Sequence, residues 1–182
     1  MKTKLLYIFI CTVFITSCLS CVQHESPHVI FDEEEFESQK EKWKSQGLTN
    51  YSFEYYWGTV GRPNRIRGKV TIKDGNSVVE LISYKDEKTV IDSSNPYYLK
   101  DIDAAFNLIY SKYTNYLERC KANYSKIWLD VFYDPIYGYP RNVGNCELLL
   151  NDKTPKEDLD GSSSGDFHLI IEKFVLTTQP ED

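Results

Sequence analysis

Apolar and polar positions follow a strand-like pattern over much of this chain. Between residues 51 and 57 the large aromatic side chains of Tyr51, Phe53 and Tyr55 alternate with the residues between them, which indicates a strand with one buried face. Similar apolar segments bounded by turn residues recur along the sequence. The predicted strands are Tyr51–Trp57, Ile66–Lys73, Ser77–Tyr84, Ile127–Tyr133, Arg141–Leu149 and Phe167–Leu176.

The second and third strands are predicted to form a hairpin. Asp74-Gly75-Asn76 lies between them and supplies residue types that tolerate a positive φ. The pattern does not fix the register of the hairpin. The residues expected to form its buried side are Ile66, Val70, Ile72, Val78, Leu81 and Ile82.

A different spacing predicts two helices. Asp32 is a suitable N-terminal cap, Glu35 completes a capping box, and Phe31 can pack against Phe36, so the first helix should begin at Asp32 and stop near Gly47. The second should run from about Asp101 to Cys120. Its apolar residues recur at steps of three and four: Ile102, Ala105, Phe106, Ile109, Tyr113, Tyr116 and Leu117.

The predicted order is therefore helix, three strands, helix, three strands. This order favours an α+β fold in which two helices pack on one face of an antiparallel sheet. The length of the chain suits a single domain, which we assign to residues 32–182. Between the last two strands lies a polar loop rich in glycine and serine, residues 151–166.

The first residues have the pattern of an export signal. Lys2 and Lys4 precede an apolar run, Leu5–Ile15, that is too short to span a bilayer. The run ends in Ile15-Thr16-Ser17-Cys18, which resembles a bacterial lipobox. That resemblance implies a signal peptide over residues 1–17, a diacylated Cys18 at the mature N-terminus and a lipidated tether over residues 18–31. Ordinary secretion and an uncleaved anchor are the alternatives.

The net charge of the chain agrees with this interpretation of its location. The chain carries 21 basic and 27 acidic residues, and loss of the signal would make the mature protein more negative still. Such a protein should not be attracted to nucleic acid or to anionic lipid. We expect it in the bacterial cell envelope, attached to a membrane through its lipid (a palmitate-type acyl anchor) and facing the periplasm or the exterior.

Two cysteines remain in the folded part, Cys120 and Cys146. Their separation matches no metal-binding or redox motif, and an exported protein permits a disulfide. We therefore predict a bridge between them, with two reduced thiols as the alternative.

Evidence for catalysis or metal binding is weak. Gly161-Ser162-Ser163-Ser164-Gly165 matches a nucleophile-elbow pattern, but the elbow requires a strand before it and a helix after it. The acidic residues of the same loop do not have the spacing of an EF-hand, and no histidine or cysteine completes a zinc site. We predict no catalytic residue, no metal and no cofactor. The acidic residues considered for calcium are Asp152, Glu157, Asp158, Asp160 and Asp166.

One segment stands out as a candidate binding loop, Tyr133-Asp134-Pro135-Ile136-Tyr137-Gly138-Tyr139-Pro140. Aspartate, proline and glycine here are typical of a tight turn between strands. Tyrosines on one loop are also typical of a binding edge, because each offers a large contact area at low entropic cost. The tentative binding residues are Tyr133, Asp134, Tyr137 and Tyr139.

This segment also resembles the Tyr-Asp-Pro-x-Tyr-Gly-Tyr-Pro hairpin of a bacterial lipoprotein family of unknown function. Weaker similarities are Asn50–Tyr55, Gly68–Gly75 and Ile102–Ile109, and together they extend over roughly residues 43–174. Many members carry a Cys-x-Cys after the first strand, which this chain lacks. The resemblance implies a cellular location and a fold, but it implies no activity.

The sequence thus predicts a non-catalytic envelope lipoprotein that binds a protein or peptide. A carrier of a small ligand or of calcium is the alternative, and an uncharacterised hydrolase is a weaker one.

The lipid anchor can be tested directly. Intact-mass measurement of the membrane-extracted protein should show a chain that begins at Cys18 and carries acyl groups, because the lipobox pattern ends at that residue. Cys18→Ser should release the protein from the membrane fraction. A mature chain with another N-terminus, or without acyl mass, would contradict the assignment.

Overall fold

A computed structural model describes residues 26–58, 66–83, 98–150 and 167–177 of the chain. Neither helix in these segments combines the length and the hydropathy that a membrane span requires. The described elements are β1 (His28–Ile30), α1 (Glu33–Ser45), β2 (Tyr51–Gly58), β3 (Ile66–Lys73), β4 (Asn76–Ser83), α2 (Ile102–Asn123), β5 (Ser125–Tyr133), β6 (Pro140–Leu149) and β7 (His168–Leu176).

Both helices begin where the sequence predicts. The Asp32 carboxylate accepts a hydrogen bond from the backbone N–H of Glu35 at 2.8 Å, and the rings of Phe31 and Phe36 lie 5.3 Å apart. The cap of α2 is equivalent, since Asp101 accepts from the N–H of Ala104 at 2.6 Å. The cap thus satisfies one of the free N–H groups at the start of α1, and the Phe31–Phe36 contact directs the chain onto the core.

The fold is α+β with a mixed, mostly antiparallel sheet in the order β1-β5-β6-β7-β2-β3-β4. The predicted order of elements and number of strands are wrong at one point. β1 precedes the first helix and pairs in parallel with β5, so the sheet formed by the described residues has seven strands instead of six. A three-residue strand is too short to show an alternation, which is why the sequence pattern places its residues in the tether.

One face of the sheet carries the core. The residues of β2 that the alternation predicts as buried are buried, and both helices contact this face. Trp43 of α1 meets Tyr51 edge-on at 5.3 Å, and Phe36 of α1 meets Phe106 of α2 at 5.6 Å. We call this the core face and the opposite side the open face.

The hairpin register corrects part of the predicted core. Val70 pairs with Val79, and Thr71 pairs with Val78, which is 63% exposed. Val78 therefore lies on the open face and not in the core. The hairpin turn itself is as predicted, since Asp74 and Gly75 both adopt positive φ.

A β-bulge in β7 reverses the alternation of that strand. Leu169 and Ile171 are buried on the core face, so a regular strand would direct residue 173 to the core. Instead the pairing with β2 shifts at Phe53, and Lys173 adopts a φ of 52°. One extra residue opposite Phe53 turns Phe174 onto the core face.

The bulge separates two side chains that need different surroundings. Phe174 packs in the core at 5.5 Å from Tyr51, while the Lys173 ammonium meets the Glu54 carboxylate at 3.1 Å. Glu54 is a residue of β2 that alternates with the buried aromatics and so lies on the open face. The contacts of Phe174 in the core and of Lys173 with Glu54 therefore stabilise the unusual φ of Lys173.

The backbone at Lys173 can be tested with a pair of variants. Lys173→Gly and Lys173→Val both remove the ion pair, but only valine must carry a branched side chain at positive φ. We expect Lys173→Val to be less stable than Lys173→Gly by about 1–2 kcal/mol in urea unfolding. Equal stabilities would contradict a positive φ at this position.

Candidate binding site

The tyrosine-rich segment is a tight connection between β5 and β6, which pair antiparallel up to Tyr133 and Pro140. Its backbone is closed by two hydrogen bonds. The N–H of Asp134 donates to the carbonyl of Tyr139 at 2.8 Å, and the N–H of Gly138 donates to the carbonyl of Asp134 at 2.9 Å. The predicted turn between adjacent antiparallel strands is confirmed.

Asp134 serves this turn. Its carboxylate accepts the N–H groups of Ile136 and Tyr137, both at 2.9 Å. These are the local hydrogen bonds that favour aspartate in turns. The carboxylate is thus engaged by the loop's own backbone.

The tyrosines of the loop face inward. Tyr139 is 5% exposed, and burial, with a smaller effect of Asp134, raises the pKa of its phenol to about 12. The rings of Tyr137 and Tyr139 lie 5.1 and 4.8 Å from that of Phe174. Tyr133 is partly buried and stacks on Phe106 at 6.5 Å. The predicted binding edge is therefore largely a core contact.

The loop is also bound to α1. The Lys42 ammonium donates to the carbonyl of Pro135 at 2.7 Å. Gly138 has a φ of 82°, and a Cβ there would lie 2.9 Å from the carbonyl oxygen of Gln39. Glycine is required at this position by both the backbone angle and the close approach of the helix.

The predicted disulfide is not present. Cys120 and Cys146 are free thiols. Cys120 lies on the buried side of α2 and donates to the carbonyl of Ser125, whereas Cys146 pairs with Trp128 in the register of β5 and β6. Since Ile127 and Leu129 are buried on the core face, alternation places Cys146 on the open face. The sheet lies between the two sulfurs, and burial raises the pKa of the Cys120 thiol.

A second polar group lies between α2 and the sheet. The Ser125 hydroxyl donates to the Glu147 carboxylate at 2.8 Å, and that carboxylate meets the Arg119 guanidinium at 2.6 Å. Ser125 is completely buried, so a substrate cannot reach its hydroxyl. We interpret this cluster as a structural link between helix and sheet.

Metal-binding groups do not converge in the part of the chain that the structure describes: no three His, Cys, Asp or Glu side chains come together. Ser163 and the acidic residues considered for calcium fall within residues 151–166, which lie outside the described segments, as does Cys18.

The sheet is incomplete along β5. β1 pairs with β5 only at Lys126, Ile127 and Trp128, whereas β6 pairs with β5 along its whole length. Among the described residues, the segment Leu129–Tyr133 consequently has a strand partner on one side only. An unpaired edge presents backbone N–H and C=O groups that can pair with another chain.

A cleft of about 200 Å³ runs along this edge. On one side lie Leu129–Tyr133, and on the other lies the chain as it passes from β1 into α1, from Ile30 to Asp32 and then Glu35. Phe132 is 63% exposed and Ile30 is 39% exposed. We call this the β5 cleft. It combines an open strand edge with exposed apolar side chains.

The cleft is acidic. Asp32, Glu35 and Asp130 are among the residues that line it, and the Asp32 carboxylate also caps α1. Tyr133 also lines the cleft. Burial raises the pKa of its phenol, and the nearby carboxylates of Glu35 and Asp32 raise it further. The lining of the β5 cleft therefore carries negative charge.

Comparison with known protein families matches residues 35–144 to a family described as "Family of unknown function (DUF6174)". The chain belongs to this family. The matched DUF6174 region extends from α1 to the middle of β6 and includes Leu129–Tyr133 and Glu35. No curated protein and no solved structure gives a significant match.

Sequence reasoning missed the β5 cleft for a physical reason. The alternation of Ile127–Tyr133 correctly predicts a strand, but it does not show which neighbours pair with each edge. The available signal was Val29-Ile30-Phe31, a short apolar group before the helix cap that is consistent with a short strand.

Gly138 allows a matched test of the loop. Gly138 and Gly75 have φ values of 82° and 76°, but of the two only Gly138 has neighbouring atoms within 4 Å of the place that a Cβ would take. We expect Gly138→Ala to lower the free energy of unfolding by about 1–2 kcal/mol more than Gly75→Ala, because it adds a steric clash to the same backbone cost. Chemical denaturation of both variants measures the difference. A larger loss for Gly75→Ala would show that the loop does not need the close approach to α1.

Proposed function

We propose that this chain is a non-catalytic lipoprotein of the bacterial cell envelope that binds a protein or peptide partner. In this proposal Cys18 carries the lipid, the residues between Cys18 and β1 connect it to the domain, and the domain faces the periplasm or the exterior. The tyrosine-rich hairpin, which resembles that of a lipoprotein family, serves the fold.

The observation that carries the binding role is the β5 cleft. An open strand edge beside an exposed phenylalanine offers both backbone hydrogen bonds and apolar contact area. The tentative site at Tyr133, Asp134, Tyr137 and Tyr139 loses support, because its carboxylate and most of its ring surface are already used within the domain. Tyr133 alone belongs to both regions, since it also lines the cleft.

The shape of the cleft argues against a small-ligand carrier. Pockets for small molecules typically have volumes of about 300–1,000 Å³ and enclose most of the ligand. At about 200 Å³, the β5 cleft is smaller and lies along a strand edge. An extended chain can lie along such a groove with one side in solvent, so the cleft volume does not limit a peptide in the way that it limits an enclosed molecule.

Photocrosslinking at two positions with the same exposure tests the proposal. Phe132 in the cleft and Val78 on β4 are both 63% exposed. With p-benzoylphenylalanine at position 132 in the native host, we expect a discrete protein adduct, because this side chain lies where the partner should bind. The same residue at position 78 should give no such adduct.

Matching adducts from both positions, or none from position 132, would contradict a binding role for the cleft. Phe132→Ala is a second check. Because the ring is mostly exposed, this variant should lose the partner while its melting temperature stays close to that of the parent chain.

A further inference from the structure

We propose that the β5 cleft takes an extended, cationic peptide segment of its partner, which pairs with Leu129–Tyr133 as an additional strand of the sheet. This inference rests on the proposed function and specifies its binding mode and the chemistry of the partner. It commits to strand pairing, and not to the docking of a helix or of a folded surface.

The first argument is the geometry of the edge. β1 already occupies the outer side of β5 as far as Trp128, where it pairs with Ile30. The chain then leaves the sheet through Phe31 and begins α1 at Glu33. An added strand would continue along the edge of β5 from the point where β1 ends. It would pair with five residues, or about 16 Å of strand.

The two edges of the sheet differ in a way that favours β5. At the opposite edge, the chain around Lys100 already reaches β4, since the Ser77 hydroxyl donates to the carbonyl of Lys100 at 2.5 Å. Apart from β1, no described strand pairs with the outer side of β5. The cleft and its acidic lining lie at the β5 edge, and for this reason the added strand is assigned to Leu129–Tyr133.

The second argument is charge. Side chains of a strand alternate between the faces of a sheet. A strand added to β5 would bring one set of side chains beside Asp130 and Phe132 on the open face and the other set toward Asp32 and Glu35. Carboxylates lie on both sides of the cleft, so lysine or arginine on either face of the peptide meets a negative group.

Asp32 and Glu35 also belong to a strongly acidic turn. Glu33 and Glu34 stand between them, and the Tyr113 hydroxyl donates to Glu33 at 2.5 Å, which holds this turn against α2. The rings of Tyr113 and Phe31 lie 4.6 Å apart. The acidic side of the cleft is thereby positioned by packing before a ligand binds, which lowers the cost of binding.

The probe is a capped peptide of about seven residues in which lysine alternates with threonine, long enough to pair with the five residues of the edge and to extend past its Tyr133 end. We expect it to bind the purified full chain in fluorescence polarisation, and we expect the affinity to fall as salt is added. A glutamate–threonine peptide of the same length should not bind.

Variants locate the site. Asp130→Lys should lower the affinity about fivefold or more, because it replaces an attraction across the interface by a repulsion. Glu35→Gln should produce a smaller loss. Glu80→Lys makes the same charge change as Asp130→Lys on an exposed residue of β4 and should leave the affinity unchanged. Melting temperatures of the variants confirm that each is folded.

Backbone methylation separates strand pairing from simple charge attraction. The same peptide with every backbone amide N-methylated keeps its lysines but cannot donate to the edge, and we expect it not to bind. Equal binding of the methylated peptide, with loss in Asp130→Lys, would overturn strand addition while leaving the cleft as a binding site.

The remaining outcomes are also decisive. The inference is overturned if the lysine–threonine peptide does not bind. It is also overturned if Glu80→Lys lowers the affinity for this peptide as much as Asp130→Lys does. A specific adduct from position 132 would still support the proposed function in that case. Loss of both the peptide and the adduct would remove the cleft as a site altogether.

Discussion

The packing of aromatic rings around Phe174 is the contact on which the rest of the structure depends. Its ring lies within 6 Å of four others, those of Trp43, Tyr51, Tyr137 and Tyr139. These residues come from α1, β2 and the loop between β5 and β6, so one side chain of β7 joins the two halves of the chain. Ring pairs of this kind add to the hydrophobic gain from burial.

This packing depends on a backbone irregularity. Without the bulge at Lys173, residue 174 would turn to the open face and the cluster would lose its centre. The tyrosine-rich loop then has a structural explanation. Tyr137 and Tyr139 supply rings, Asp134 closes the turn, and Gly138 lets the loop approach Gln39 of α1. A segment that has the composition of a binding loop is here a connection whose tyrosine rings face the core, while Ile136 at its tip is exposed.

The same arrangement leaves part of one edge of β5 without a strand partner among the described residues. One edge of β5 pairs with β6 along its whole length. The other edge pairs with β1, which has three residues and reaches only Trp128. The chain must leave the sheet at Phe31 to place α1 over the core. The open edge at Leu129–Tyr133 is thus a consequence of how helix and sheet connect, and the acidic first turn of α1 borders it.

Several features could be predicted from sequence because their causes are local. The cap at Asp32, the contact of Phe31 with Phe36, the buried face of β2 and the turn at Asp74-Gly75 each depend on residues a few positions apart. The errors concern distant parts of the chain. The separation of Cys120 from Cys146 depends on which face of β6 is buried, and the exposure of Val78 depends on the register of the hairpin.

By itself, the sequence determined the α+β class, the two helices, the six longer strands and the family resemblance, because periodicity and capping are short-range properties of the chain. Only the tertiary structure decided the parallel strand β1, the bulge that turns Phe174 inward, the burial of Tyr139 and the open edge of β5. Each of these depends on pairing between segments far apart in sequence, and strand alternation does not specify which edges meet. For this reason the sequence identified the tyrosine-rich loop but did not predict that its tyrosine rings pack against the core. For the same reason it did not predict the β5 cleft.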